Sequence, residues 1–221
     1  SVCFGNVRLF YINWYNIKSG VKRFIIILFL YLITQYVANA EIIGHNSDNI
    51  SQTLRIADNQ YKIGNAVYDT AKRYEGITEN SQTGKQHIQR FLKSVGLKGD
   101  YAWCAAFASY CLSVNKVREP AVRSAAARKF ILKTSINAND VLCGTKQIEK
   151  GDLVIWRRGN TAYGHIEIVK KWDKKQGISI GGNTTAPKGK GIEYDGDGVY
   201  EKNRIIQPAN YFRITHFTKV R

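Results

Sequence analysis

The chain has 221 residues, with 33 Lys or Arg against 17 Asp or Glu, and a formal net charge of +16. Its 44% hydrophobic and 12% aromatic residues exclude a disordered chain and suffice for a buried core, so we expect one globular domain with appendages. Four cysteines without a CxxC pair and four histidines argue against a disulfide scaffold and a zinc site, and no P-loop motif is present. We expect no metal and no cofactor.

A hydrophobic leader lies near the start of the chain. The basic residues Lys22 and Arg23 precede a ten-residue apolar run, and an Ala-x-Ala pattern ends at Ala40. This is the pattern of a secretory signal peptide. The run is about half of the roughly 20 residues that a spanning helix needs. Residues 21–40 are therefore predicted to be a cleaved signal peptide that leaves no stable membrane span, the alternatives being an uncleaved anchor or a buried core helix.

The sequence contains no methionine, so we expect that Ser1 is not the natural first residue. A start at Val21 from a GTG codon would place the basic pair at the beginning of the signal peptide, and residues 1–20 would then be upstream translation. Export would deliver the mature chain, from Glu41, to the periplasm or the medium.

The mature chain is strongly basic, because the leader removes only four of the basic residues. An exported basic protein meets anionic wall polymers, lipid headgroups or extracellular nucleic acid, unless the excess lysine only increases solubility. No sequence signature of a specific nucleic-acid-binding domain is present.

A polar linker and then helices are predicted next. Residues 41–62 are polar and indicate a linker or frayed arm, followed by a domain over 63–221. Apolar residues at helical spacing predict three helices, and an Ala-rich stretch predicts a fourth. These helices cover 62–74, 81–97, 101–114 and 120–133.

From Gly151 the pattern changes to short apolar runs separated by glycine and charge, which indicates antiparallel strands. The predicted strands cover 152–156, 165–169, 177–180 and 205–218, with a Gly-rich loop over 188–198. Helices first and strands afterwards predict an α+β fold, with N-terminal helices packed on a C-terminal antiparallel sheet.

Two residues of this pattern suit nucleophilic catalysis. Cys104 begins an apolar helix, where the positive end of the helix dipole and free backbone N–H groups favour a thiolate and an oxyanion. His165 opens a strand 61 residues later. An imidazole near a thiol can accept its proton and pass it to a leaving amine. The alternatives are an ordinary buried cysteine and a structural histidine.

Two residues compete to orient His165. Asn183 follows two glycines at the end of the neighbouring predicted strand, and its amide oxygen can accept a hydrogen bond from the imidazole; alternatively it is a turn residue. Glu167 lies two residues beyond His165 and so shares its face of the strand. It could orient the imidazole, bind a substrate amine, or be solvated.

These motifs, taken in order, resemble the CHAP group of the NlpC/P60 cysteine amidohydrolases, a papain-like superfamily of peptidoglycan hydrolases. The resemblance spans about 63–217 and rests on four segments: the Trp-Cys-Ala-Ala-Phe helix, the Gly-Asp-hydrophobic strand, the His strand and a closing Gly-Asn, at 103–107, 151–156, 164–166 and 182–183. It implies Cys104 as nucleophile, His165 as base and Asn183 as orienter. Glu167 departs from the family pattern, in which many members carry glycine or another small residue.

The resemblance implies an amidase or endopeptidase that cleaves amide bonds in the peptide part of bacterial peptidoglycan, and the predicted signal peptide implies that it is exported. Candidate substrate-binding residues are Tyr101, Trp103, Tyr163 and Glu167, although aromatic residues are more often core. Peptidoglycan is the expected partner, together with anionic wall polymers. The alternatives are an inactive basic wall-binding module, and the same chemistry used as an antibacterial toxin.

The positions of the cysteines allow one possible disulfide. Cys104 and Cys111 are about 10.5 Å apart along one helix, too far for a bridge. A Cys111–Cys143 bridge is geometrically allowed and would leave Cys104 free. The alternative is that all three are thiols.

Overall fold

The computed structural model describes residues 19–186, 196–207 and 212–221. It divides into two compact units, Ser1–Arg55 and Ile56–Arg221. Most of the predicted Gly-rich loop lies outside the described residues.

The first helix, α1, is much longer than the pattern predicts and covers Ser19–Lys72. The polar residues of the predicted linker are therefore helical. No proline interrupts this stretch, and an ion pair one turn apart, between Lys62 Nζ and Asp58 Oδ2 at 2.6 Å, supports it. In the part of the chain that the structure describes, no helix has both the length and the hydropathy needed to cross a membrane.

Two further helices carry the core of the second unit. Helix α2, Gln82–Lys93, begins at Ser81, whose hydroxyl accepts a hydrogen bond from the Gly84 backbone N–H at 3.0 Å. Helix α3, Cys104–Val114, is apolar on all sides and accordingly buried. A short helix, α4, covers Ala138–Leu142.

The helix predicted over 120–133 is wrong. Only the four residues Ala127–Phe130 form a helical turn, of the 3-10 type. The guanidinium of Arg123 donates to the backbone oxygens of Val117 and Pro120 at 2.7 and 2.6 Å. An irregular backbone replaces the helix because this side chain satisfies carbonyls that turn away from helical geometry.

The second unit contains a six-stranded antiparallel sheet in the order β1-β6-β2-β3-β4-β5. In chain order the strands are Ile136–Asn137, Leu153–Arg158, Gly164–Asp173, Gln176–Thr184, Gly198–Ile205 and Phe212–Thr218. Strands β2, β3 and β4 confirm three predicted strands. The predicted strand 205–218 is instead divided between the end of β5 and β6, and β5 begins where the loop was predicted to end.

Successive side chains of a strand point to opposite faces of the sheet, so the buried apolar residues form one cluster on each face. On β2, Leu153 and Ile155 belong to the cluster that includes α2 and α3, whereas Val154 and Trp156 belong to a second cluster with Ile214. Helix α3 packs on β3 and β4. The predicted α+β fold is thus confirmed, and the N-terminus of α3 is held against the strand that carries His165.

Candidate active site

Cys104 is the first residue of α3, and only 4% of its surface is exposed. The preceding Trp103 is fixed on two sides. Its Nε1 donates to Oε1 of Glu79 at 2.6 Å, and its ring lies so close to Gly182 that a Cβ there would be 2.3 Å from the indole. Helix α3 therefore starts from a rigidly held residue, and its first backbone N–H groups lack partners within the helix.

His165, on β3, lies between Cys104 and Glu167. Its Nε2 is 3.0 Å from Oε1 of Glu167. The ring also packs edge-to-face on Trp156, its cross-strand neighbour on β2, at a centroid distance of 5.4 Å. Burial and these neighbours fix the orientation of the imidazole.

The protonation of His165 is set by two opposing effects. Burial lowers the pKa of the imidazole, but hydrogen bonding to and electrostatic interaction with Cys104 and Glu167 outweigh it and raise the pKa to about 9. Near neutral pH the ring is therefore an imidazolium. An imidazolium beside a thiol is the state that stabilises a thiolate.

Glu167 is fully enclosed, with 1% of its surface exposed. Besides His165, its carboxylate accepts from Ser179 Oγ at 2.5 Å and from Nε and Nη2 of Arg204, the first of these at 2.9 Å. Burial raises the pKa of Glu167, but the charge of Arg204 and the contact with His165 lower it well below its usual range. The carboxylate is therefore ionised although it is buried. Because it is buried, the interpretation of Glu167 as a solvated residue is wrong.

Asn183 lies near the end of β4, where the β4–β5 register shifts, and has a positive φ of 54°. Asparagine tolerates this left-handed conformation better than most residues. Among the described residues no hydrogen bond joins Asn183 to His165. The structure brings Cys104, His165 and Glu167 together and places Asn183 in the wall of the adjoining cleft; its role as orienter remains a prediction.

Arg204, on β5, was missed by sequence reasoning. It is 7% exposed, bonds to Thr184 Oγ1 at 3.2 Å and lies over the Trp156 ring at 5.3 Å. One feature of the sequence could have indicated such a residue. Glu167 stands between Ile166 and Ile168 in an apolar strand, and a carboxylate that is buried there requires a cationic partner.

A cleft of about 910 Å³ adjoins the start of α3. Tyr101, Trp103 and Asn183 line it, although Trp103 is 1% exposed and Tyr101 is 54% exposed. Tyr163 is exposed and does not line this cleft. The charged side chains in its wall, none of them singled out by sequence reasoning, are Glu79, Lys85 and Asp100.

The cysteines form no disulfide among the described residues. Cys104, Cys111 and Cys143 are free, so the bridge between Cys111 and Cys143 is not present. Cys111 is buried in the core and Cys143 is exposed. Within the described residues, no three His, Cys, Asp or Glu side chains are grouped so as to hold a metal ion.

Comparison with family models identifies a match over part of the second unit. A family model described as the CHAP domain matches residues 96–183. No curated protein and no solved structure matches the chain. The matched segment begins just before α3 and ends at Asn183, so it includes Cys104, His165 and Glu167. CHAP domains are generally hydrolases that act on peptidoglycan. Residues 96–183 are thus similar to the CHAP domain, and the α+β fold of the second unit is consistent with the papain-like fold of that family.

Proposed function

We propose that this protein is a cysteine hydrolase that cleaves amide bonds in the peptide part of bacterial peptidoglycan. One observation carries the proposal: His165 contacts both Cys104 and an ionised Glu167, at the start of α3 and beside an open cleft. A buried imidazolium, a buried carboxylate and a cysteine together are costly for stability alone but useful for activating a thiol.

The mechanism follows from these three side chains. The Cys104 thiolate attacks the carbonyl carbon of the scissile amide, and the N-terminal N–H groups of α3 stabilise the oxyanion. His165 donates its proton to the leaving amine, and a thioester remains on Cys104. Water then attacks the thioester as His165 accepts a proton, which releases the carboxylic acid and restores the thiolate. Glu167 keeps the imidazole oriented throughout.

The substrate enters through the cleft at the start of α3. Its size and its mixture of charged, amide and aromatic walls suit an extended peptide rather than a small apolar ligand. Two classes of bond fit this chemistry: the amide between muramic acid and alanine, and a peptide bond of the stem or cross-bridge. Asn183 and Tyr101 line the cleft, so both side chains are available to contact the bound peptide.

Export is the second part of the proposal, supported by the basic pair and apolar run before Ala40. Residues 28–33 of that run are exposed within their unit. Expression of the full chain in a bacterium, followed by N-terminal sequencing of the protein outside the cytoplasm, should give a chain that starts at Glu41. Recovery of uncleaved protein only in the cytoplasm would contradict it.

Hydrolysis is tested with purified peptidoglycan. The parent should release soluble muropeptides with new amine or carboxyl ends, whereas Cys104→Ala and His165→Ala should release none. Cys111→Ala is the matched control, because it removes a buried cysteine from the same helix without touching the site. Release by Cys104→Ala at the parent rate would refute the mechanism. Tight binding by the parent with no release would instead identify a wall-binding module.

A further inference from the structure

Strand β5 delivers a buried arginine to the back of the proposed site. Both oxygens of Glu167 accept hydrogen bonds from one guanidinium: Nε of Arg204 binds Oε2 and Nη2 binds Oε1. The same Oε1 faces Nε2 of His165 at 3.0 Å. Arg204 lies outside the segment that matches the CHAP domain, which ends at residue 183.

We infer that Arg204 is a positioning residue: its guanidinium holds the Glu167 carboxylate in the one orientation that aligns His165 with Cys104. The inference rests on the proposed function for its role in catalysis. The alignment itself can be measured without any peptidoglycan substrate.

Arg204 binds Glu167 in a bidentate geometry, with one nitrogen on each carboxylate oxygen. A guanidinium that binds both carboxylate oxygens fixes the plane of the carboxylate as well as its charge, which a single ammonium cannot do. Without Arg204, Ser179 would hold Oε2 at 2.5 Å, and Oε1 would have only His165 as its partner. The carboxylate could then pivot about the hydrogen bond that Ser179 donates to Oε2.

The guanidinium is itself held on two other sides. Thr184 Oγ1 accepts from Nη2 at 3.2 Å, and the Trp156 ring lies 5.3 Å below Cζ. Trp156 also contacts the His165 ring. One aromatic ring thus supports both ends of the chain of contacts that runs from Arg204 through Glu167 to His165.

Gly181 completes this arrangement. A Cβ at Gly181 would lie 2.4 Å from Cγ of Glu167, so the absence of a side chain there leaves the space that Glu167 fills. Glu167 therefore has a shaped slot on the β4 side and a guanidinium on the β5 side, which together define a single rotamer.

The experiment measures the alkylation rate of Cys104 by iodoacetamide in the full chain at pH 7, followed by mass spectrometry of the Cys104 peptide. The exposed Cys143 in the same digest is an internal control. Three variants are compared with the parent: Arg204→Met, Glu167→Gln, and the double variant. Arg123→Met is the control, since it removes a half-buried arginine that binds backbone oxygens and Ser113 and does not contact the site.

Arg204→Met should slow alkylation of Cys104 by roughly 10-fold to 100-fold, the range known for outer partners of metal-bound histidines. The double variant should lie within about twofold of Glu167→Gln, because Arg204 acts only through Glu167. Arg204→Lys, which keeps the charge but not the fork, should be intermediate. Arg123→Met should alkylate at the parent rate.

Two results would overturn the inference: a folded Arg204→Met protein that alkylates at the parent rate, or effects of the two substitutions that multiply. If Arg204→Met unfolds, the double variant, which removes both buried charges, keeps the test available: alkylation at the parent rate in that protein would equally overturn it. Failure to cleave peptidoglycan would refute the proposed function while leaving these rates unchanged.

Discussion

The substitution Glu167→Gln tests how the site sets the charge of His165. Glutamine keeps the shape of the side chain and an oxygen for Nε2, but it removes the negative charge. The pKa of His165 is about 9 against an ordinary value of 6.5. At about 1.4 kcal/mol for each pH unit, the site favours the imidazolium by about 3 kcal/mol.

An adjacent opposite charge typically accounts for about 1 to 3 pH units. Loss of the carboxylate also leaves the Arg204 cation without its partner, and this cation repels an imidazolium. Both effects have the same sign, so the pKa of His165 should fall from about 9 to between about 6 and 8. The imidazole NMR resonances of the full chain, followed from pH 5 to pH 10, measure it directly.

The uncompensated arginine will also destabilise the variant, because breaking a buried ion pair typically costs about 3–5 kcal/mol. Thermal unfolding should therefore accompany the titration, and the double variant with Arg204→Met provides a second folded protein in which the pKa still falls. Glu149→Gln, which removes a carboxylate paired with Lys219 at 3.1 Å, is the control and should leave the titration unchanged. A pKa that stays near 9 in Glu167→Gln would refute the reasoning.

Three further predictions concern stability and packing. Because folding raises the pKa of His165, its stabilisation is full below about pH 6.5 and is lost as the pH rises through about 9, so the parent should lose up to about 3 kcal/mol relative to His165→Gln over that window. Gly181→Ala should cost about 1–3 kcal/mol and impair hydrolysis, because its Cβ displaces Glu167, as denaturant unfolding and muropeptide release will show. Asp152→Ala should cost about 2–4 kcal/mol in unfolding free energy without changing hydrolysis per folded molecule, since Asp152 accepts from the backbone N–H groups of Glu149 and Val220 at 2.8 and 3.1 Å.

Each of the three has a contradicting result. A parent and a His165→Gln protein whose stabilities fall in parallel with pH would contradict the first. Gly96→Ala, strained in backbone but with open space around its Cβ, is the control for the second; equal loss of hydrolysis in both proteins would show that Gly181 acts only through stability. Full stability of Asp152→Ala would contradict the third.

Local sequence patterns suffice to single out Cys104 and His165. Cys104 stands where an apolar run begins, and the run forces a buried helix; His165 stands where a strand begins. These periodicities do not depend on distant residues, so the sequence alone predicts α3, β2, β3 and β4 and the α+β order of helices and strands.

The environment of that pair follows from tertiary pairing, which no local pattern reveals. Arg204 reaches Glu167 only because β5 pairs with β4, and a basic residue on an edge strand ordinarily faces water. Glu79 is positioned by its bond to Trp103, 24 residues away. Similarly, the continuation of α1 through polar residues and the irregular 120–133 segment depend on side-chain contacts that composition does not encode.

Detection of a covalent acyl intermediate on Cys104 is the most direct test of whether Cys104 is the nucleophile. Parent protein mixed with purified peptidoglycan fragments and quenched in acid should show, by intact and peptide mass spectrometry, an acyl group on Cys104 that hydroxylamine removes. Cys104→Ala should show neither the adduct nor new muropeptide ends. Muropeptide release by the parent with no acyl group on Cys104, and equal release by Cys104→Ala, would contradict the account.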